Sequence, residues 1–470
     1  MPDRPPWKHR WRWRSLSLRA SLALVLALGG WLGWLAHSAR VQREAVAAIM
    51  AADGRVYYDW EWQGDRPTPP GTSQKWPPRW LLDLVGPDFL GNAVAVHTDG
   101  GDQVLMTISP DRGGRFDDAV MSSVGRLAHL RTINIPPTVT DAGLAHLRGL
   151  GRLESLEISS PRGTVTDAGL AHLRGLTRLR SLGLLNTTIR GPGLANLAGL
   201  GRLERLSLPA IGDADMAHLA SLTSLETVTL GGDRLTDAGL AHLEGLTQLK
   251  AFYLSGISSR GITGAGLVHF KGMPHLETLA LMASGVDDLA ALRSLTGIKD
   301  LNLNWTGIDD DDLASLEDLK ALERLYLRRT RVGDAGLAHL DGLSKLTTLD
   351  LSETRVTDAA LVRPCVGRTR ALSLDGTGVT DAGLAHLAAN PQLVCLSLPK
   401  AAVTDAGLSH LVGLTRLRLL RLSGTRVTDV GLVRLAGMKD MQLLYLDGTG
   451  VTAAGVASLK STMPKASIIR

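Results

Sequence analysis

Residues Val403 to Leu422 read VTDAGLSHLVGLTRLRLLRL, and variants of this segment recur from Phe116 to the end of the chain. The central leucine, Leu408, marks the repeat, because an equivalent apolar residue occurs fifteen times, most often at intervals of 24 residues. These anchor residues are Met121, Leu144, Leu170, Leu194, Met216, Leu240, Leu267, Leu289, Leu313, Leu337, Leu361, Leu384, Leu408, Leu432 and Val456. A repeat of this length predicts a solenoid, in which each unit buries its apolar face against its neighbours.

The two halves of the repeat have different apolar patterns. Thr404 and Asp405 suit a helix start, because a hydroxyl caps free N–H groups and a carboxylate interacts favourably with the positive end of the helix dipole. Leu408 and Leu411 follow at a helical spacing and are predicted to face the core. Twelve residues after most anchors, a Leu-x-Leu alternation predicts a short strand. Each unit is therefore predicted to contain one strand and one helix, which is an α/β architecture.

Composition limits the kind of core and the kind of partner. The 470-residue chain is 44% hydrophobic but only 4% aromatic, and it contains 52 glycines, so the core is built from small aliphatic side chains. The formal net charge is +5, yet the first 43 residues hold eight Lys or Arg and one Asp, which leaves the remainder slightly negative. We therefore predict no nucleic-acid partner, because the repeats carry no basic excess.

An uncharged apolar segment extends from Ala20 to Ala36, and counting from Ser15 gives about a full membrane span. Most of the nearby basic residues precede this segment, which predicts a cytoplasmic N-terminus. A cleavable signal peptide is the alternative, but cuts after Ala36 or Ala39 would put a bulky side chain where a small one is required. We predict an uncleaved signal anchor that contacts the lipid bilayer through Ala20 to Ala36.

Four parts of the chain are predicted. Residues 1–14 form a basic cytoplasmic tail, residues 15–37 the transmembrane signal anchor, residues 38–115 a membrane-proximal region with a Pro-rich linker and an N-terminal cap, and residues 116–470 the solenoid. In the third part we expect a short helix up to about Ala52 and a strand from Arg55 to Tyr58. The protein would be single-pass in the cytoplasmic membrane, with its repeats in the periplasm or outside the cell.

The repeat resembles the leucine-rich repeats that are abundant in planctomycete bacteria and related to the ribonuclease-inhibitor-like class, over about three-quarters of the chain. The segments Gln42 to Val46, Val56 to Asp59, Trp80-Leu81 and Gly86 to Phe89 resemble the membrane-proximal region of anchored members. The resemblance implies a leucine-rich-repeat solenoid, a curved horseshoe, with a binding role, and it supplies no catalytic residues. F-box proteins of eukaryotes have similar repeats, but no F-box-like segment is present, so a ubiquitin-ligase-type substrate adaptor is the weakest interpretation.

Reactive residues in the repeats are better explained by structure than by catalysis. Neighbouring helices lie about 10 Å apart whereas a Zn–N bond is about 2 Å, so histidines in successive units are poorly placed to share an ion. Cys365 and Cys395 are predicted to be free thiols, and the run Asp309 to Asp312 lacks the Gly and distal Glu of a calcium loop. We therefore predict no enzyme activity, no metal and no cofactor. The eight repeated histidines are His146, His172, His218, His242, His269, His339, His386 and His410.

The middle residue of each Leu-x-Leu is predicted to point away from the core, onto the concave face, where it is free for recognition. In the central units these positions and their neighbours form a polar and aromatic cluster of the type enriched at binding hot spots. Its members are Asp300, Asn302, Asn304, Arg324, Tyr326, Arg328 and Asp350. We predict this cluster to be the binding site, and a merely solvated surface is the alternative.

The sequence thus favours a non-catalytic, membrane-anchored module that displays a repeat surface for a protein, peptide or glycan ligand. The alternative is a structural or adhesive protein that self-associates through the edges of its solenoid. This alternative is based on the chain end at Ile468 and Ile469, where a last strand is expected without a capping helix after it.

Overall fold

The computed structural model describes residues 18–63, 66–68, 77–97, 115–231, 233–255 and 260–470. The predicted basic tail (1–14), the first residues of the predicted span (15–17) and most of the predicted Pro-rich linker (69–76) lie outside the described residues.

The apolar segment belongs to one long helix, α1 (Leu18–Ala51), of 34 residues. The sequence predicted a span followed by a separate short helix, but α1 is continuous, because no proline or helix-breaking turn separates the two parts. Its apolar half is exposed, and burial against the rest of the protein begins at Ala39. Among the described residues, α1 is the one helix that is long and apolar enough to cross a membrane.

Short elements connect α1 to the repeats. Gln42 joins α1 to the loop before the sheet, since its Nε2 donates to the Gly91 carbonyl (2.9 Å) and its Oε1 accepts from the Ala93 N–H (3.1 Å). Trp62 is buried beside the ring of Tyr57, whereas Trp80 is largely exposed. These elements are β1 (Arg55–Tyr58), β2 (Trp62–Gln63), β3 (Arg66–Pro67), α2 (Arg79–Val85), α3 (Pro87–Leu90) and β4 (Ala93–His97).

The main sheet has 17 strands among the described residues. Strand β1 is antiparallel to β4, and every later strand pairs in parallel with the one before it, so the sheet begins upstream of residue 116. Beyond β4 there is one strand for each of the fifteen anchors in the described residues. These strands are β5 (Thr132–Ile135), β6 (Ser155–Ile158), β7 (Ser181–Gly183), β8 (Arg205–Ala210), β9 (Thr227–Gly231), β10 (Ala251–Ser255), β11 (Thr278–Ala280), β12 (Asp300–Asn302), β13 (Arg324–Tyr326), β14 (Thr348–Asp350), β15 (Ala371–Ser373), β16 (Cys395–Ser397), β17 (Leu419–Arg421), β18 (Leu443–Tyr445) and β19 (Ser467–Ile469).

The second element of each unit is helical, but it is often a 3-10 helix rather than the α-helix that the spacing predicts. Most of these segments have only three to seven residues, which is too short for a cooperative α-helix. The α-helices are α4 (Asp118–Val124), α5 (Asp141–Leu144), α6 (Asp213–Met216), α7 (Asp237–Leu240), α8 (Pro364–Gly367), α9 (Asp381–Leu387), α10 (Asp405–Leu411), α11 (Asp429–Leu435) and α12 (Ala453–Thr462). The 3-10 helices are Ala145–Gly149, Gly169–Leu173, Pro192–Leu197, Ala217–Leu219, Ala241–Leu243, Gly264–Phe270, Ala290–Ser294, Asp312–Leu316, Gly336–Leu340 and Asp358–Val362.

The leucines of the strands and helical segments form one continuous core. Leu301, Leu325 and Leu349 lie side by side on successive strands, and all three are buried. The fifteen anchors are buried too, apart from Val456, which is partly buried. The repeat, the parallel register and this core confirm the predicted leucine-rich-repeat solenoid.

A second set of contacts joins the units on their helical side. Asp381 Oδ1 accepts a hydrogen bond from the Thr404 N–H (2.8 Å) and its Oδ2 accepts one from the Thr404 hydroxyl (2.5 Å). The same hydroxyl accepts from the Ala406 N–H (3.2 Å) and so caps the next helix. We call this set the aspartate–threonine ladder. Its pairs are Asp118–Thr140, Asp141–Thr166, Asp213–Thr236, Asp237–Thr263, Asp334–Thr357, Asp358–Thr380, Asp381–Thr404, Asp405–Thr428 and Asp429–Thr452.

The ladder extends the role that the sequence assigned to the aspartates. Asp381 begins its own helix, as predicted, but its side chain bonds to the next unit. The glycine that precedes ten of the fifteen anchors has a related cause, since a Cβ on Gly407 would lie 2.2 Å from Asp381 Oδ1. Glycine before the anchor therefore makes room for the carboxylate of the preceding unit.

In the last pair of the ladder, Asp429–Thr452, the hydrogen bonds favour the ionised carboxylate. The hydroxyl and the N–H of Thr452 both donate to Asp429, and these hydrogen bonds lower the pKa of Asp429. Because this pKa is lower in the folded than in the unfolded chain, the ionised form favours folding. The stabilisation is present above the unfolded-state pKa and is lost as the pH falls through the lowered pKa of the folded state.

We predict that Leu349→Ala lowers the free energy of unfolding by about 2 to 5 kcal/mol, because it leaves a cavity in the core. His339→Ala should cost less than about 1 kcal/mol, since it removes only a partly exposed pair with Glu317. Chemical denaturation of both variants measures the contrast. Equally large losses would mean that the histidines pack or bind metal.

We predict that Asp381→Ala lowers the free energy of unfolding by about 1.5 to 3 kcal/mol, because two donors of Thr404 lose a charged acceptor. The control is Asp440→Ala, which removes a carboxylate from an exposed turn and should change stability by less than about 0.5 kcal/mol. Denaturation at neutral pH compares the two. A ladder variant no less stable than the control would show that the ladder does not hold the units together.

Candidate binding surface

The sheet lines the inner side of the solenoid. Neighbouring strands are about 4.8 Å apart, whereas helices need about 10 Å, so stacked units curve with their strands inside. We use the term concave face for the surface formed by the side chains of the parallel strands that point away from the core. Along β13, half-buried Arg324 and Tyr326 alternate with buried Leu325, which places both on this face.

The structure brings the predicted cluster together on β12, β13 and β14. Asn302, Tyr326 and Asp350 are directly paired across the three strands, as the repeat spacing predicts. Asp300 and Arg324 are also paired, and Arg324 Nε donates to Asp300 Oδ2 at 2.7 Å. This hydrogen bond raises the pKa of Arg324.

The last two predicted residues follow the ends of β12 and β13. Asn304 Oδ1 accepts a hydrogen bond from the Arg328 N–H (2.7 Å), which connects neighbouring units. The Arg328 guanidinium pairs with Glu353 (2.5 Å), and Arg329 Nε lies 3.0 Å from the same carboxylate. Glu353 was not among the predicted residues, and it makes this part of the surface more nearly neutral.

Tyr326 lies at the centre of the cluster. Burial raises the pKa of its phenol, and the charges of Asp300 and Asp350 raise it further, while Arg324 opposes them. A tyrosine hydroxyl has an ordinary pKa of about 10, so it is protonated at neutral pH and is both a donor and an acceptor. An aromatic ring with such a hydroxyl is a typical anchor of a binding surface.

One edge of the concave face carries residues in the left-handed region of φ. Trp305 (φ 61°), Arg329 (58°), Glu353 (55°) and Lys400 (61°) occupy a turn position that is glycine in other units, such as Gly376 (63°). The same turn recurs in successive units from Ala283 (56°) to Gly448 (67°), so the left-handed conformation is a feature of the repeat. Trp305 is exposed and is the only tryptophan in the repeats. Sequence analysis did not select it, although its uniqueness and its place at a glycine position were available signals.

A shallow open pocket of about 200 Å³ lies on the concave face beside the cluster, toward the C-terminus. Arg328 and Asp350 of the predicted cluster line it, and its other lining residues include Asp375, Ser397 and Arg421. Burial raises the pKa of Asp375, and this effect is opposed by Ser397 and by the two arginines. Sequence analysis did not include Asp375, which follows its Leu-x-Leu instead of lying within it.

The C-terminal rim of the pocket is aromatic. The Arg421 guanidinium lies over the ring of Tyr445, 4.8 Å from its centroid, and the two residues are directly paired on β17 and β18. Such a cation–π contact holds the arginine side chain beside the pocket.

The other reactive residues have structural surroundings. His269 and His339 pair with glutamates of the preceding units, Glu244 (2.6 Å) and Glu317 (2.5 Å). Both cysteines are free, and burial raises the pKa of the Cys365 thiol to about 12. Within the ranges that the structure describes, no group of three or more metal-ligating side chains is positioned to hold an ion.

Solved structures similar to this chain have low sequence identity. An internalin from Listeria monocytogenes is 20% identical with a TM-score of 0.43, over 68% of this chain and 82% of that one. A leucine-rich-repeat protein from Leptospira interrogans is 17% identical with a TM-score of 0.42, over 79% and 95% of the two chains. The structure of a TLR13–ssRNA13 complex is 16% identical with a TM-score of 0.46, over 75% of this chain and 59% of that one. No protein-family model and no curated protein matches the sequence.

Proposed function

We propose that this protein is a non-catalytic, membrane-anchored binding module whose concave face recognises a protein, peptide or glycan. One observation carries the proposal. Asn302, Tyr326 and Asp350 form a row of half-buried polar and aromatic side chains above a floor of buried leucines. The repeat requires the leucines for packing but places no such demand on the residues of the row, so the row is available for recognition.

Charge pairing within the cluster favours a polar partner of low net charge. Arg324 is neutralised by Asp300, and Arg328 and Arg329 share Glu353. A strongly acidic or strongly basic partner would have to break these ion pairs. The cluster as a whole offers no excess of the opposite charge in return. Half-buried Tyr326 at the centre of the cluster and exposed Trp305 at its edge add apolar contact area.

Membrane anchoring by α1 is the second part of the proposal. Most of residues 20–36 are exposed along α1, and burial against the remainder of the protein starts shortly after them, at Ala39. A helix that crossed the bilayer in this way would hold the repeats close to its outer surface. The excess of basic residues before the span supports the orientation with the N-terminus inside.

We predict that Tyr326→Ala weakens capture of the partner by roughly 1 to 3 kcal/mol, because it removes the aromatic anchor of the cluster. The matched control is Tyr445→Ala, which changes the same position of a strand near the C-terminal end and should matter less. A pull-down from native membranes with the full chain identifies the partner, and titration of both variants measures the loss.

Unchanged affinity for Tyr326→Ala, together with a clear loss for Tyr445→Ala, would move recognition to the C-terminal end. Sedimentation of the full chain in detergent tests the alternative of self-association. A concentration-dependent dimer with no captured partner would contradict the proposed binding function.

We predict that protease added to spheroplasts of a bacterial host digests the repeats, because residues 116–470 should lie outside the cytoplasmic membrane. The control is a cytoplasmic protein of the host, which stays protected until lysis. Protection of the repeats, followed by digestion after lysis, would reverse the topology.

A further inference from the structure

Helix α2 exposes large apolar side chains close to the apolar half of α1. Trp80 is 66% exposed and Leu84 is 72% exposed, and because they are four residues apart they lie on the same face of α2. No residue of α2 is buried, so this helix adds little to the protein's own core. Adjacent exposed apolar side chains are unfavourable in water and indicate a contact surface.

Contacts with α1 hold the C-terminal end of α2 in place. The chain turns from α2 into α3 at Gly86, where a Cβ would lie 3.3 Å from Arg43 Nη2. Arg43 Nε is 3.6 Å from Asp88 Oδ2, and the Arg43 guanidinium lies over the ring of Phe89, 5.7 Å from its centroid. The end of α2 therefore lies beside Arg43 of α1.

This position corresponds to the depth of the lipid headgroups when α1 spans a bilayer. The apolar segment ends at Ala36, and Arg43 follows seven residues later, which is about 10 Å along a helix. The headgroup layer adds about 5 to 8 Å on each side of the hydrocarbon core. Tryptophan is enriched at this depth, and interfacial helices bury their apolar faces there. Trp80 and Leu84 are thus close enough to enter the layer.

The relation between α1 and the solenoid is fixed by packing. Ala45 and Ile49 of α1 are fully buried in the same core as Phe116 and Met121 of the first repeat unit. Helix α1 is continuous, so the apolar segment and these buried residues belong to one rigid element. Placing α1 across a bilayer therefore also sets the depth of α2.

The charges around the exposed face of α2 are compatible with lipid headgroups. Arg79 and Asp83 of α2 are exposed, and exposed Arg40 lies on α1 between Ala36 and Arg43. Arginine pairs well with phosphate groups, and basic residues at a membrane surface are attracted to anionic lipids. Two arginines and one aspartate leave a small positive excess at this level.

We infer that α2 is an interfacial helix, whose Trp80 and Leu84 insert into the headgroup layer of the membrane that α1 spans. The inference rests on the proposed membrane anchoring and adds a second point of contact to it. A single spanning helix tilts in the bilayer, and interfacial tryptophans restrict the tilt. The contact through α2 would therefore hold the repeats at a fixed inclination to the membrane surface.

The test measures the depth of single positions in the full chain. An environment-sensitive NBD fluorophore is attached to one introduced cysteine at a time, in a background with Cys365→Ala and Cys395→Ala. The chain is held in phosphatidylcholine nanodiscs that contain lipids with a nitroxide quencher either on the headgroup or deep in the acyl chain. Leu84→Cys is the test position, and Leu28→Cys reports independently on the span.

The matched control position is Met50→Cys. Met50 is 62% exposed on α1 but lies 14 residues beyond Ala36, which is about 20 Å along the helix and outside the headgroup layer. We expect the headgroup nitroxide to quench about half or more of the emission at Leu84 and less than about a tenth at Met50. The deep nitroxide should quench Leu28 more than Leu84.

A substitution tests the role of the tryptophan. In the chain labelled at Leu84, Trp80→Gln should reduce quenching by the headgroup nitroxide about twofold or more, because the larger apolar side chain is lost. Met50→Gln in the same labelled chain is the control and should leave quenching unchanged. Thermal unfolding checks that every variant is folded.

Strong quenching at Leu28 without quenching at Leu84 would overturn the inference and leave the membrane anchor intact, whereas no quenching at either position would remove both. Blue-shifted emission at Leu84 that neither nitroxide quenches would place a protein or a second copy on α2, which also overturns it. Equal quenching at Leu84 and Met50 would do the same, because the contact would then not be specific to α2.

Discussion

Each ladder threonine donates two hydrogen bonds, from its N–H and its hydroxyl, to the aspartate of the preceding unit, and these bonds hold the helical sides of those units together. On the opposite side, parallel strands fix the spacing of the units through their backbone hydrogen bonds. On the helical side, Gly407 leaves the space that the carboxylate of Asp381 occupies. This carboxylate accepts both hydrogen bonds from Thr404. Buried leucines fill the volume between these two fixed sides, and the outward side chains therefore lie in straight rows.

This division separates the residues that maintain the fold from those available for recognition. Asn302, Tyr326 and Asp350 lie in one row because their strands are in register, and none of them is needed to fill the core. The turns at the strand ends add exposed Trp305 beside this row.

Much of the fold follows from the sequence, because a regular period fixes both the strand positions and the apolar anchors. The pairing of Asp300 with Arg324 follows from the same period. The ladder was not predicted, since a Thr-Asp pair also suits a simple helix cap and nothing in one unit reveals a bond to the next. The pocket at Asp375 and Ser397 was not predicted either, because it depends on side-chain conformations that the repeat does not fix. Short helical segments were predicted as α-helices, and their small length favours 3-10 geometry in many units.

The central claim is that the concave face, and not the helical side, contacts the partner. Hydroxyl-radical footprinting of the full chain, with and without the captured partner, tests this claim most directly because aromatic side chains on both faces react with the radical. The account predicts strong protection of Trp305 and Tyr326 when the partner is bound, with unchanged labelling at exposed helical-side residues such as His146 and His386. Protection of the two histidines, with Trp305 and Tyr326 still labelled, would contradict it.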